Sequence, residues 1–354
     1  MPGGMLRDMK HSGPGGRPVI LLRRRPQRGH ALAILNLCCG AFFLLPFASV
    51  AQVLNIYSTG FELSEDFDIR YTLVGQGCTP AGLQCWTGTD SHANVIKTNY
   101  FFPKQQFGEQ QAFIGSFVLT NETGTLNVWR PLDFDPVASA LPIVSFYVTL
   151  AIYDSLAVTN RDAFRWSIYN RENGGERLFT IDFDNRVKDI NYELDDDQFL
   201  WTGYSFENGG QYDLVVVMNF ADNLWSAWLN DVPIAESLEM TTRGSALNLG
   251  DIDAVWVNNT LGKPGDNFMV FDNYAVTAEP YPFSLESLER RRDGTFLFRL
   301  TGEPGRPYAI EVSEDLNDWS VLKTNTVSSD GTVIVDDPTA SGYNRSFYRA
   351  RLVK

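Results

Sequence analysis

The residues best equipped for chemistry in this sequence are its carboxylates. Asp and Glu number 43 against 29 Lys and Arg, a formal charge of −14, and histidine occurs three times in 354 residues. Hydrolysis of a glycosidic bond uses two carboxyl groups, roughly 5–5.5 Å apart for retention of configuration and roughly 6.5–9.5 Å apart for inversion. Alternate residues of a strand share one face, so carboxylates at i and i+2 open into one cleft. Glu193-Leu194-Asp195-Asp196-Asp197-Gln198 has that spacing, and it equally describes an acidic turn between Tyr192 and Phe199, which is the expectation here. Glu62-Leu63-Ser64-Glu65-Asp66 does not keep the spacing.

Other chemistries are poorly supplied. The excess of acid argues against binding a phosphate backbone, so nucleic acid is not an expected partner. Past residue 51 the one imidazole is His92, flanked by Asp90 and Ser91 in a loop-like stretch, which leaves no zinc site of several histidines and little for a serine or cysteine nucleophile. Gly75-Gln76-Gly77 runs into Cys78 with no helical pattern behind it, so it is a turn and not a nucleotide loop. Asp251, Asp253, Asp266 and Asn267 form an acidic group that suits either turns or a cation held by oxygens. Asp182 and Asp184 alternate on one strand face, as solvated residues do.

A sugar ring offers an apolar face to stack and hydroxyls to hydrogen-bond, so aromatic residues beside polar ones suit it. Trp166, Trp225, Trp228 and Trp256 sit in apolar strand patterns and belong mainly to the core. Trp86, Trp129 and Trp201 lie nearer loops or strand ends, and with Tyr204 they are the expected ligand-binding residues; Asn170 and Arg171 are further rim groups. Trp319 is expected to pack near the C-terminus.

These residues need a scaffold, and the pattern supplies strands. Val144, Phe146, Val148, Leu150 and Ile152 share one face. Phe164, Trp166 and Ile168 share another, and Tyr212, Leu214, Val216, Met218 and Phe220 a third. Ala221-Asp222-Asn223 turns the chain into a return strand, Leu224–Leu229, and Phe268–Val276 is a last long strand. Many strands with no helical stripe between them mean an antiparallel all-β sandwich. The pattern resets at the proline-bearing linker 280–282, and shorter strands beyond it suit a second, small β-sandwich over 283–354.

The first 51 residues read as an export signal: a basic start with Arg23, Arg24, Arg25 and Arg28, the largely apolar run Ala31–Phe47, then Ser49 and Ala51 before the expected cut. Cleavage removes seven of the 29 basic residues and one of the 43 acidic ones, leaving a net charge of −20. No second apolar span follows, so no transmembrane segment is expected in the mature chain. In an oxidising compartment Cys78 and Cys85 are expected to close a disulfide, since a two-cysteine metal site lacks further ligands.

From Gly60-Phe61-Glu62 through Leu178-Phe179-Thr180-Ile181-Asp182-Phe183-Asp184 and Trp225-Ser226-Ala227-Trp228-Leu229-Asn230-Asp231 to Phe271-Asp272-Asn273-Tyr274-Ala275-Val276, the chain resembles the concanavalin A-like lectin/glucanase superfamily, in particular the LamG-like jelly rolls of secreted bacterial proteins. The tail, from Thr301-Gly302-Glu303-Pro304-Gly305 through Tyr308–Ser313 and Asp318-Trp319 to Phe347–Ala350, looks like a small immunoglobulin/fibronectin-like module. The resemblance implies a jelly roll over 52–279. It also implies a structural Ca2+ tying the first strand to the last, through Glu62 and Asp272 by position. Glucanases of that superfamily carry E-x-D-x-x-E on one strand, and here Gln198 stands where the acid/base Glu belongs. A glutamine cannot donate and retake a proton. The expected function is therefore non-catalytic binding of an extracellular polysaccharide or cell-surface partner, by a protein secreted or kept at the cell envelope. A divergent glycoside hydrolase or lyase, and a purely structural surface protein, are the alternatives.

Overall fold

The computed structural model describes residues 53–78, 84–115, 124–154, 160–260, 265–343 and 345–353. The expected export signal, residues 1–51, lies outside the described residues. The first strands are β1 (Leu54–Thr59), β2 (Thr87–Gly88), β3 (Asn94–Thr98), β4 (Gln110–Gly115), β5 (Thr125–Phe134), β6 (Ile143–Tyr153) and β7 (Ala163–Tyr169). Then come β8 (Arg177–Asp184), β9 (Asp189–Leu194), β10 (Phe199–Ser205), β11 (Tyr212–Asn219), β12 (Leu224–Leu229), β13 (Val232–Glu239), β14 (Leu249–Val257) and β15 (Phe268–Glu279). They build two antiparallel sheets. One runs β13-β12-β11-β6-β15-β4-β3 with β1 also on β15, and the other runs β10-β9-β8-β7-β14-β5-β2.

The alternation seen in the sequence makes the core. Phe146, Val148 and Leu150 of β6, Leu214, Val216 and Met218 of β11, and Trp166 and Ile168 of β7 are all buried in one cluster between the sheets. The β11–β12 hairpin closes with Asn219 opposite Leu224, and Asn223 at its turn has φ 58°, a left-handed geometry that asparagine tolerates. Strand β5 carries Pro131, which cannot donate to a ladder. It sits opposite Asp251 beside an irregularity in the β5–β14 register, where a proline is tolerated.

A second set of strands follows: β16 (Ser284–Arg290), β17 (Phe296–Thr301), β18 (Pro307–Ser313), β19 (Ser320–Thr326), β20 (Thr332–Asp337) and β21 (Phe347–Leu352). They form two three-stranded sheets, β16-β17-β20 and β19-β18-β21, around a separate core of Phe298, Leu300, Tyr308, Ile310, Val327 and Val335. Trp319 is half-buried there, with the Arg349 guanidinium 4.1 Å from its ring centre. Tyr281, in the connection between the two sets, donates from its hydroxyl to Asp222 at 2.8 Å. Cys78 and Cys85 are joined as a disulfide. Among the described residues no helix is long and apolar enough to cross a membrane.

Candidate functional site on the seven-stranded sheet

The outward side chains of the seven-stranded sheet fall into registered rows. In the first, Trp129 (β5) stands opposite Asp253 (β14), then Ser167 (β7), Thr180 (β8), Glu193 (β9) and Phe199 (β10). In the second, Asn127 is followed by Val255, Arg165, Asp182, Asn191 and Trp201. Aromatic residues thus end a polar floor. At a strand spacing near 4.8 Å, five steps separate Trp129 from Phe199 and Trp201 by ~24 Å along the sheet. Trp201 is 50% exposed and Phe199 45%, unusual for large apolar groups and fit for stacking.

The floor is buried but largely satisfied. Arg165 bonds Asp182 at 2.7 Å and lays its guanidinium 4.8 Å from the Phe199 ring centre. Asn191 donates to the other Asp182 oxygen at 3.3 Å. Ser167 and Thr180 share a hydroxyl hydrogen bond of 2.8 Å. Arg177 pairs with Glu193 at 2.9 Å and Asp197 at 2.6 Å. Burial pushes the carboxyls of Asp182 and Glu193 above the usual range, only partly offset by Arg165 and Arg177. Asp182 is therefore a buried ion-pair member, not the solvated strand residue its alternation suggested, and Asp184 pairs with Arg186.

Asp253 is 3% exposed. Asn127 donates to its Oδ2 at 2.8 Å, while its Oδ1 has no hydrogen-bond donor. Asp251, two residues away on the same face, is within hydrogen-bonding reach of it. Burial and mutual repulsion raise the affinity of both carboxyls for protons, Asp253 the more strongly. A groove of about 520 Å³ adjoins this face, lined by Tyr169, Arg177, Asp195, Asp197 and Arg243 among others.

The expected site residues divide. Trp129 and Trp201 share this face. Trp86 does not: it is 1% exposed, packed against Phe61 and Tyr274 at ring separations of 5.5 and 5.2 Å, with its indole N–H donating to Tyr57 at 3.1 Å. Tyr204 packs against the main core. Both are corrected from ligand platforms to packing residues, because a large ring beside the core gains more by burial than by exposure. Asn170 is buried and holds the 170–176 loop by accepting from the Glu172 and Glu176 backbones.

The expected acidic turn between Tyr192 and Phe199 is present at 195–198, with Glu193 just before it in strand β9 and paired with Arg177, while Asp195 turns to another partner. Asp195 accepts from Thr241, Thr242 and Arg243 at 2.5–3.1 Å. Burial opposes its ionisation, but those hydrogen bonds outweigh it and hold the carboxyl below the usual range. Asn267, grouped with Asp251 and Asp253 in the sequence, bonds Asp162 and Asn185. The pairing of Asp251 with Asp253, and the placing of Arg165 over Phe199, are the features that sequence reasoning missed. The i, i+2 spacing of Asp251-Ile252-Asp253 was the available signal.

Glu62 and Asp272 lie where β15 changes partner. Its first residues pair with β4 up to Phe271–Ala112, and its later ones with β1 from Tyr274 on. Asp272, 0% exposed, sits in that gap with its Oδ2 unpartnered. Glu62 Oε1 accepts the Glu109 and Gln110 N–H groups at 2.8 and 3.1 Å, and Glu65 Oε2 accepts from Gly60 and Glu62. Burial and the nearby Glu62 and Glu65 charges push Asp272 up to about 8. Among the described residues no three His, Cys, Asp or Glu side chains converge as a metal-binding group. His92 is exposed and lines a separate groove of about 700 Å³ with Arg70 and Tyr71.

No protein-family model matches this chain, and no curated protein matches it. Solved structures similar to it include a carbohydrate esterase of Shiga toxin-encoding bacteriophage phi24B, 13% identical over 64% of this chain and 99% of that one, TM-score 0.38. The carbohydrate-binding module CBM66 of Bacillus subtilis is 12% identical over 54% of this chain and 94% of its own, TM-score 0.33. The lectin UEA-II, solved with galactose, is 9% identical over 60% and 98%, TM-score 0.38. Against one matched sialidase the chain spans only 16% of that protein's length. Likenesses this distant assign no residue a role.

Proposed function

We propose that this is a secreted protein that binds an extracellular glycan on the outer face of the seven-stranded sheet, without cutting it. The observation that carries the reading is the registered polar floor ended by Trp129 on one side and by exposed Phe199 and Trp201 on the other. Rings for stacking and polar groups for hydroxyls are what a sugar polymer needs. Non-catalytic binding is supported by the engagement of Glu193 with Arg177 and of Asp195 with the 241–243 loop. The test is retention of the full chain on columns of immobilised neutral polysaccharides. Trp201→Ala and Phe199→Ala are expected to lose retention. Tyr100→Ala, at a 79% exposed position outside the face, is expected to keep it. Equal retention by all three variants would remove the face from the function.

A structural calcium ion at Glu62 and Asp272 belongs to the same proposal. The open, buried Oδ2 of Asp272 supports it. The donors fit an oxygen-seeking cation, with Glu62 giving its second oxygen because Oε1 already accepts two N–H groups. Calcium is expected to raise the melting temperature of the wild type but not of Asp272→Asn; no calcium-dependent rise in the wild type would end this part.

A further inference from the structure

We propose that Asp251 and Asp253 act as one unit, a carboxyl pair sharing a single proton, which holds the outer oxygen of Asp251 in place to accept a hydrogen bond from a hydroxyl of the ligand. The inference rests on the glycan reading above and deepens it. Three observations carry it. Asp251 and Asp253 are alternate residues of β14, facing the same way and in hydrogen-bonding reach of each other. Asp253 is almost wholly buried, and one of its oxygens has no N–H or O–H donor. A proton held between the two carboxyls supplies the missing donor. And unlike Asp182 and Glu193, which have Arg165 and Arg177, this pair has no compensating cation among the described residues.

The surroundings favour a proton over a second charge. From β5, Asp133 repels Asp251. From β7, Tyr169 faces both carboxyls, with Arg165 and Arg177 acting on that phenol. From β15, on the core side, Tyr274 feels both, with Arg130 opposing them. Two carboxylates left charged in so buried a place would pay desolvation and repulsion together. One proton removes the repulsion and leaves a single charge to desolvate. Asp251 is half-buried and reachable from solvent; Asp253 lies beneath it and is a positioning residue. The pair stands beside Trp129 in the row, so a sugar stacked there brings its hydroxyls to Asp251.

The test follows the aspartate carboxyl carbons of the full chain by NMR from pH 4 to pH 10, together with retention on neutral polysaccharide columns over the same range. The wild type is expected to show one carboxyl step near pH 6 and another near pH 9, both altered in Asp253→Asn. Retention is expected to fall at least fivefold across the upper step in the wild type, where loss of the shared proton drives the two carboxylates apart, and to stay level in Asp253→Asn, whose amide takes the place of that proton toward Asp251. Two carboxyls titrating together below pH 5 would overturn the pair even if retention persists. A pair that titrates as expected while retention ignores pH would overturn its ligand role. Titration as expected with no retention at any pH would sink the glycan reading itself. Carboxyl signals that move on adding calcium at pH 7, and cease to in Asp253→Asn, would replace the proton by a bound cation.

Discussion

The two sheets treat their outer faces in opposite ways. Near the β4–β15–β6 end of the eight-stranded sheet the outward residues are Phe113, Val270, Ala151, Phe268 and Tyr153, and the chain at 101–107 lays Phe101, Phe102 and Phe107 over them. Phe113 and Phe268 stack at 4.9 Å, and Tyr153 and Phe268 at 5.1 Å. The seven-stranded sheet instead presents Arg165, Asp182, Asn191, Glu193 and Asp253, framed by half-exposed rings. An apolar outer face gains stability once chain covers it. A face of buried carboxylates gains none that way and persists only where partners satisfy it. The contrast teaches that one face is sealed by its own chain, while the other is held by ion pairs and hydrogen bonds within the sheet.

The largest effect should come from pH, acting through the Asp251–Asp253 pair of the seven-stranded sheet. Between about pH 6 and about pH 9 the folded pair holds a proton that the unfolded chain does not. Stability must therefore fall as pH rises through that window, by up to ~1.4 kcal/mol per pH unit for one proton. Asp253→Asn should flatten this slope in urea unfolding; Asp272, raised the same way in the ion-free protein, contributes a slope common to both. An unchanged slope would show that the face is not under electrostatic stress. Next in size, Phe113→Ala on the sealed face should cost ~3 kcal/mol and leave polysaccharide retention alone; a loss of retention would break the division between the faces.

Arg165→Ala should cost ~2 kcal/mol at pH 7, because Asp182 loses its buried partner. Burial raises the proton affinity of Asp182, and loss of Arg165 raises it further, so lowering the pH neutralises the carboxyl and shrinks the penalty. A penalty equal at pH 7 and pH 4 would mean that Arg165 serves by packing on Phe199 and not by charge. Smallest in stability is Trp201→Ala, expected within ~0.5 kcal/mol for a surface change yet costing about tenfold in retention, ~1.4 kcal/mol. A large stability loss there would move Trp201 from the contact face to the core.

Alternation alone placed β6, β7, β11, β12 and β15 and, in β6, β7 and β11, put the right side against the core, because period 2 with apolar residues on one side has one buried solution; in β12 it grouped Trp228 with the core, whereas the buried side is that of Trp225, Ala227 and Leu229. It also set out the all-β architecture and the fresh start after Glu279, where β15 ends and β16 begins at Ser284. It was blind to β5, whose Pro131 argues against a strand until a register irregularity admits it. It misjudged Trp86 and Tyr204, since nearness to a loop says nothing about which way a ring turns. Only the tertiary structure decided which carboxylates meet. Glu193 and Asp195 are two apart in sequence and go to different partners, Arg177 and the 241–243 loop, while Asp251 and Asp253, at the same spacing, stay together. Trp129 and Trp201 are joined on one face by the registers of six strands. The physical reason is that spacing is a local property of the chain, whereas partnership across a sheet depends on strands that the sequence keeps far apart.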